Sequence, residues 1–303
     1  MNRRTFLTGL ALTPLAGCNR SPSSGGFSLV IGQHGHTSGR FYKPRGIEVF
    51  APERRLYVVD WDGRIQSFDF DGTFRSSWIM PEVKNGKPED LCFAPDGHLL
   101  VADTHYHRIL EFDLTGKVIG HFGSYGREPG QFIYPVGICC TADGDILVSE
   151  YGENDRIQRF ARDGTFRTEW GHFGRDNGGF QRPSGLALAP DQASVWVADT
   201  VNHCIRGFDL EGKRLGVIGS EGAEAGSLRY PHDVVVTEDS LYVCEFGNQR
   251  IQRFDRDGTP RGTFGTPGRG DGQFSNPWRF TLFEDRLYIS DTGNHRVVVT
   301  EAF

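Results

Sequence analysis

VADTHYHRILEFDLTG, residues 101–116, is the phrase on which the fold turns. An apolar strand ends in Asp103, a short turn closes on Arg108, an apolar and aromatic strand follows, and Asp-x-x-Gly stops it at Gly116. Outward from it, the phrase reads VVDWDGRIQSFDFDG from Val58, VSEYGENDRIQRFARDG from Val148, VADTVNHCIRGFDLEG from Val197, VCEFGNQRIQRFDRDG from Val243 and, shortened, ISDTGNHRVVV from Ile289. One such unit cannot cover its own two apolar faces, so the six copies must stack on one another.

A second marker gives the period. The prolines that open the units are Pro44, Pro88, Pro135, Pro183, Pro231 and Pro277, separated by 44, 47, 48, 48 and 46 residues. That is the length of a four-stranded propeller blade. Within each unit apolar and polar residues alternate with period two, as in LVIGQHG and VWVAD, between Gly, Asp and Pro punctuation. The predicted fold is all-β: a six-bladed β-propeller of four-stranded blades. The last unit ends at Phe303 without a fourth strand, while GFSLVIGQHG at residues 26–35 resembles the fourth-strand phrase GKVIGHFG at residues 116–123. The N-terminal strand is therefore expected to join the C-terminal blade, closing the ring and removing a free sheet edge. A closed disc of this kind predicts a monomer.

The first residues are a different text. Asn2-Arg3-Arg4-Thr5-Phe6-Leu7 resembles a twin-arginine export signal, and Leu15-Ala16-Gly17-Cys18 resembles a lipoprotein signal-peptidase site. This divides the chain into a signal peptide at 1–17, a lipidated tether at 18–26 with Cys18 as the acylated residue, and the propeller at 27–303. The protein expected is an exported periplasmic or cell-surface lipoprotein, anchored to a bacterial membrane by its lipid without spanning it. By analogy with Gram-negative lipoproteins, Asn19 after the cysteine is compatible with sorting to the outer membrane. No apolar run approaches the ~20 residues of a membrane-crossing helix, and a net charge of −6 argues against nucleic acid as a partner.

The units resemble NHL repeats, whose hallmark is an acidic residue followed at fixed offsets by Asn, Arg and a β-branched residue. Asp291, Asn294, Arg296 and Val297 match it, as do Glu245, Asn248, Arg250 and Ile251. Elsewhere Cys204 replaces the Arg, Tyr106 replaces the Asn, and the first and third turns differ by one residue in length. An acid and an Arg that recur in nearly every blade imply scaffold, with Asp60, Asp103, Asp199 and Asp291 pairing across tight turns with residues such as Arg64, Arg108, Arg250 and Arg296.

Function is sought where equivalent positions differ. After the six prolines stand Arg45, Glu89, Val136, Ser184, His232 and Trp278, and next to them Gly46, Asp90, Gly137, Gly185, Asp233 and Arg279. Placed at the start of each innermost strand, Arg45, Glu89, Asp90, Ser184, His232, Asp233, Trp278 and Arg279 form a candidate binding site at one mouth of the central channel, suited to an anionic or zwitterionic ligand. NHL-type propellers include a peptidyl-hydroxyglycine lyase whose zinc is held by three Pro-His histidines. Only Pro231-His232-Asp233 keeps that motif here, and Tyr151 lies in a loop comparable to that of the family's catalytic tyrosine at a different spacing. A second metal-type arrangement is His105-x-His107, in the same blade as Glu89 and Asp90. His34, His36, His98, His203 and His295 have no evident partner.

Beyond Cys18 the chain carries Cys92, Cys139, Cys140, Cys204 and Cys244. Cys92 and Cys139 occupy the same place in adjacent repeats, which makes a cross-blade disulfide conceivable, although twin-arginine export of a folded chain favours free buried thiols. The sequence predicts a non-catalytic ligand- or protein-binding module at the cell envelope, its partner an unknown small molecule, peptide or envelope protein. The alternative is a metal-dependent lyase, or a hydrolase of lactonase type, using His232 with Asp233, Glu89 and Asp90 and requiring zinc or calcium.

Overall fold

The computed structural model describes residues 26–303; the twin-arginine motif and Cys18 lie outside the described residues. Six four-stranded antiparallel sheets form a six-bladed propeller. Their innermost strands are Pro44–Phe50, Asp90–Phe93, Tyr134–Cys140, Pro183–Leu188, Pro231–Val236 and Pro277–Phe283, which we number as blades one to six. Each innermost strand contacts the next, and the sixth contacts the first, so the ring is closed around a central axis.

Closure follows the sequence reading. The N-terminal strand Leu29–Ile31 pairs antiparallel with the last strand, Arg296–Glu301, with Leu29 opposite Val299 and Ile31 opposite Val297. It supplies the outermost strand of blade six, the one the C-terminal unit lacks. Ile31 is buried in a cluster with Phe41, Ile47, Val58, Val297 and Val299, which seals blade six against blade one.

The core is correspondingly divided. Each of the six seams between blades has its own cluster, such as Cys92, Leu100, Ile109, Ile138, Val148 and Phe160 between blades two and three, and no single core spans the disc. In every blade except the second, the connector into the innermost strand drops one large side chain into its seam: Phe41, Phe132, Phe180, Leu228 and Phe274 are all fully buried. Opposite them, Gly32, Gly123, Gly171, Gly219 and Gly265 have positive φ, and a Cβ there would overlap that side chain.

The recurring acid forms a clamp across these connectors. Asp60, Glu150, Asp199, Glu245 and Asp291 accept the backbone N–H of Tyr42, Ile133, Gln181, Arg229 and Ser275, residues that lead into the innermost strands. Arginine holds the acid from the other side, with Arg108 on Asp103 at 2.9 Å, Arg156 on Glu150 at 2.7 Å, Arg250 on Glu245 at 2.5 Å and Arg296 on Asp291 at 2.8 Å. Three blades depart from the expected spacing, and in blade three the turn longer by one residue still brings Arg156 onto Glu150. In blade four Cys204 stands in the arginine's place, and Arg206, two residues on and so on the same side of the strand, makes the pair with Asp199 at 2.7 Å. In blade one the shorter turn leaves the Arg64 side chain 3.4 Å from Asp62, and Asp60 accepts the Arg64 backbone N–H instead.

The five cysteines among the described residues are free thiols. The suggested Cys92–Cys139 bond is not the contact the fold makes: the neighbour of Cys92 is Cys140, with sulfurs 3.3 Å apart. Equivalent residues in consecutive blades turn the same way around the ring, so Cys139 packs toward blade four, while pleat alternation turns Cys140 back toward blade two.

Ile31→Ala is expected to destabilise the protein by about 2–4 kcal/mol in denaturant unfolding, as a large-to-small change in a packed seam. Val30→Ala, one residue away but 46% exposed, is expected to cost less than about 0.5 kcal/mol. Equal costs would refute the closure.

Candidate functional site at the channel mouth

All six innermost strands start at one end of the channel, so the residue after each proline turns inward at a common level. Arg45, Glu89, Val136, Ser184 and His232 are buried and Trp278 is partly so. They meet: Arg45 pairs with Glu89, the Trp278 indole N–H donates to Glu89 Oε2 at 3.0 Å, the His232 and Trp278 rings lie 4.1 Å apart, and Ser184 Oγ is 3.5 Å from His232 Nδ1. The Arg45 guanidinium lies between two indoles, 4.2 Å from Trp61 and 4.5 Å from Trp278, an arrangement that offsets part of the cost of burying its charge.

One step further in, Arg279 closes the bore. It is 1% exposed and reaches across the axis from blade six. Nη1 donates to the His232 carbonyl at 2.8 Å and faces Asp233 at 3.4 Å, Nη2 donates to the Val136 carbonyl at 2.9 Å, and Nε lies 3.6 Å from Asp90. This accounts for glycine at the equivalent position of blade four: a Cβ on Gly185 would overlap both Asp233 and the Arg279 guanidinium. Asp90 and Asp233 in turn accept the backbone N–H of Ile138 and Phe280 in neighbouring blades. The charges of this tier thus tie four innermost strands together, whereas the residues above it face the mouth.

The lip of the mouth has a feature the sequence reading missed. The residue after each clamp acid runs Trp61, Thr104, Tyr151, Thr200, Phe246, Thr292 around the ring, aromatic in alternate blades. The threonines of blades four and six are tied down, Thr200 on the Pro231 carbonyl and Thr292 on that of Pro44, while the aromatics border the site: Trp61 on Arg45, Phe246 beside His232 and Trp278. Arg182, just before Pro183, sits in the left-handed region with φ 58°. Asp155 accepts its backbone N–H, and its exposed guanidinium lies 4.7 Å over Tyr151. Among the described residues no carboxylate pairs with that guanidinium. Between Glu89, Val136, Tyr151, Arg182, Ser184, His232 and Trp278 about 10 Å³ of space is enclosed, roughly what one water occupies. A larger ligand would sit on this floor.

Burial, with Arg279, Arg182 and Arg45 adding to it, holds the His232 imidazole well below its ordinary pKa. It is therefore neutral at physiological pH. The other histidines expected as metal ligands do not join it. Residues 104–106 form a single 3-10 turn. His107 Nδ1 lies 2.5 Å from the Ile133 carbonyl, His105 Nδ1 accepts the Lys87 backbone N–H at 3.4 Å, and Glu89 and Asp90 are engaged by Arg45, Trp278 and Arg279. Among the described residues the metal-type donors that converge are Asp96, His98 and Glu111, on the outer part of blade two, where Arg162 already bonds both carboxylates.

Beyond Arg279 the channel reopens into a chamber of about 330 Å³ walled by all six innermost strands. Its lining is more polar than apolar, with Glu48, Asp90, Gln192, Asp233 and Thr281 among its side chains and no Lys, Arg or His among the described residues that line it. Glu48 Oε1 accepts from Val49 N–H at 2.8 Å and from the Thr281 hydroxyl at 3.1 Å. Burial pushes its pKa from 4.5 to about 7, with Asp90 adding to the shift and these two hydrogen bonds opposing it. The signal was present in the sequence two residues beyond the positions compared: four residues after each proline stand Glu48, Cys92, Cys139, Ala187, Val235 and Thr281.

With the site described, its relatives can be placed. Residues 85–112, 180–208, 228–254 and 274–299 match the NHL repeat. The chain carries NHL repeats in four of its blades, on a six-bladed β-propeller fold. It is 29% identical over 138 residues to peptidylglycine alpha-amidating monooxygenase of Rattus norvegicus, covering 42% of this chain and 14% of that protein. To a probable peptidyl-alpha-hydroxyglycine alpha-amidating lyase of Caenorhabditis elegans it is 33% identical over 78 residues, 25% of this chain and 22% of that one. The chain thus spans less than a quarter of the length of these curated relatives. Among solved structures it resembles a catalytically inactive virginiamycin B lyase from Staphylococcus aureus with Quinupristin, TM-score 0.62 at 20% identity over 90% of this chain and 87% of that one. It also resembles an auxiliary nutrient binding protein from Bacteroides thetaiotaomicron, TM-score 0.66 at 14% identity over 88% and 70%. At these identities the likeness is one of fold.

Two outcomes follow from the buried charges. Because the folded pKa of Glu48 lies above its unfolded value, its contribution to stability is complete below about pH 4.5 and is lost as pH rises through about 7. Glu48→Gln is expected to flatten the fall in stability between pH 5 and 8 by up to about 3 kcal/mol, read from denaturant curves across that range. Arg279→Met is expected to cost about 3–5 kcal/mol by leaving Asp90 and Asp233 uncompensated, and adding Asp90→Asn with Asp233→Asn should restore most of it; no restoration would show that Arg279 acts by packing alone.

Proposed function

We propose that this protein is an exported, lipid-anchored binding module that takes a small anionic ligand with an apolar or aromatic body at the channel mouth. The observation that carries the reading is the Arg182 guanidinium, exposed at the lip, stacked on Tyr151 and without a carboxylate partner among the described residues. Its five donors suit a carboxylate, free or at a peptide C-terminus. Trp278, Phe246 and Tyr151 offer the surfaces against which an apolar group would lie. Arg45, in contrast, is neutralised by Glu89 and serves as floor. Binding therefore draws on Arg182 for charge and on the aromatic lip for area. Residues 1–17 and Cys18 supply export and anchoring in this reading, holding the disc at the membrane surface through the 18–26 tether.

A nutrient-binding protein among the structural neighbours supports the binding reading. The lyases named among the relatives and neighbours keep the alternative open, and His232 after Pro231 is the residue it would use. A zinc site needs three protein ligands and an open position, and here His232 faces Ser184, Trp278 and Phe246 rather than further histidines.

N-acetyl-phenylalanine, a carboxylate with an aromatic body, is a suitable probe. It is expected to quench tryptophan fluorescence, and Arg182→Ala to weaken binding by roughly 10–100-fold, the loss of one charge-assisted contact, with the wild-type affinity falling as salt rises. Purified protein carrying stoichiometric zinc or calcium, with turnover abolished by chelation, would instead assign the mouth to a metal-dependent lyase or hydrolase.

A further inference from the structure

The chamber below Arg279 holds three of the five described thiols, Cys92, Cys139 and Cys140. Cys92 closes the end of one seam from blade two and Cys140 packs on the same seam from blade three. Their sulfurs are in direct contact at 3.3 Å. A disulfide bond is ~2.05 Å long, so about 1.3 Å of movement shared between two side chains would form it. Cys139 faces the next seam with Leu147, Leu186 and Val197 and has no sulfur partner at bonding distance among the described residues. Cys140 is half-buried at the chamber wall, whereas Cys92 is 6% exposed.

We propose that Cys92 and Cys140 are a redox modification site, oxidised by small disulfides that enter the lower chamber to a cross-blade disulfide joining blades two and three. Chemistry follows accessibility. The Cys140 thiol gives up its proton, its thiolate attacks one sulfur of the incoming disulfide to form a mixed disulfide, and the first thiolate leaves and takes that proton. Cys92 then gives up its proton, its thiolate attacks Cys140 Sγ, and the second thiolate leaves and takes that proton. Two protein thiols are oxidised and one small disulfide is reduced to two thiols. Burial, with Cys140 beside it, holds the Cys92 thiol well above its ordinary pKa, so its attack is favoured as pH rises. The bond would close a loop running from residue 92 to residue 140, adding a covalent clamp to a seam otherwise held by packing and by non-covalent bonds such as Ile138 N–H to Asp90 and Arg162 to Asp96 and Glu111.

The test uses reduced full-length protein carrying Cys18→Ser, which keeps the tether thiol out of the count, incubated with excess bis(2-hydroxyethyl) disulfide. Two thiols per chain should disappear from a denaturing thiol assay, mass mapping should join Cys92 to Cys140, and the melting temperature should rise by roughly 5–10 °C and return on reduction. Cys92→Ser should stop the reaction at the mixed disulfide on Cys140, and Cys139→Ser should leave the cross-link intact. No loss of thiols, a cross-link that contains Cys139, or a cross-link that survives Cys140→Ser would each overturn the assignment. None of these readouts depends on what the opposite mouth binds.

Discussion

The clamp at the end of the second strand of each blade is the interaction on which the rest depends. In blades three to six a carboxylate buried at a strand end accepts the backbone N–H of the chain arriving at that blade's innermost strand while Arg holds it from the other side; blade one keeps the connector N–H without the Arg side chain, and blade two keeps Arg108 without the connector N–H. In blades four, five and six an Asn completes the set, donating both to the acid and to a connector carbonyl: Asn202 to Gly174, Asn248 to Gly222, Asn294 to Gly268. A carboxylate this deep is costly unless its lone pairs are filled, and Asp103 Oδ1 in blade two is the one left unpaired among the six. Filling them fixes where the connector turns, and so fixes the level at which each innermost strand begins.

That constraint has a functional consequence. Since every innermost strand starts at the same height, the residues after the six prolines are delivered to one place, although up to 233 positions separate Arg45 from Trp278 in sequence. The scaffold is sixfold and the delivered side chains are not. Arg45, Glu89, Ser184, His232 and Trp278 therefore build a floor with direction and charge on a frame with neither. Arg279 then divides the bore into two compartments of opposite character. Above it lies a cationic and aromatic lip with Arg182 free; below it lies a chamber with carboxyls and thiols and no basic side chain among the described residues.

The blade number, the strand class, the closing N-terminal strand and the scaffold role of the acid–Arg pairs were all legible in the sequence, because they rest on residues that repeat. Exceptions had local causes. Arg206 replaced the missing arginine because strand side chains alternate, so a residue two positions on returns to the same face. Cys140, not Cys139, met Cys92 for the same reason read across a seam. His105 and His107 failed to converge because residues 104–106 wind into a 3-10 turn and His107 turns to the Ile133 carbonyl.

What the sequence determined by itself was the frame: period, alternation and punctuation are local properties, and a unit that cannot bury its own faces leaves a closed ring as the answer. Which discordant residues would neutralise one another and which would stay available was decided only by the tertiary structure. Arg45 and Arg182 are both guanidiniums flanking a blade proline, yet one is sandwiched between indoles against Glu89 and the other is left over the Tyr151 ring. Distances across the axis make that difference, and Coulomb energies and desolvation depend on those distances rather than on order along the chain.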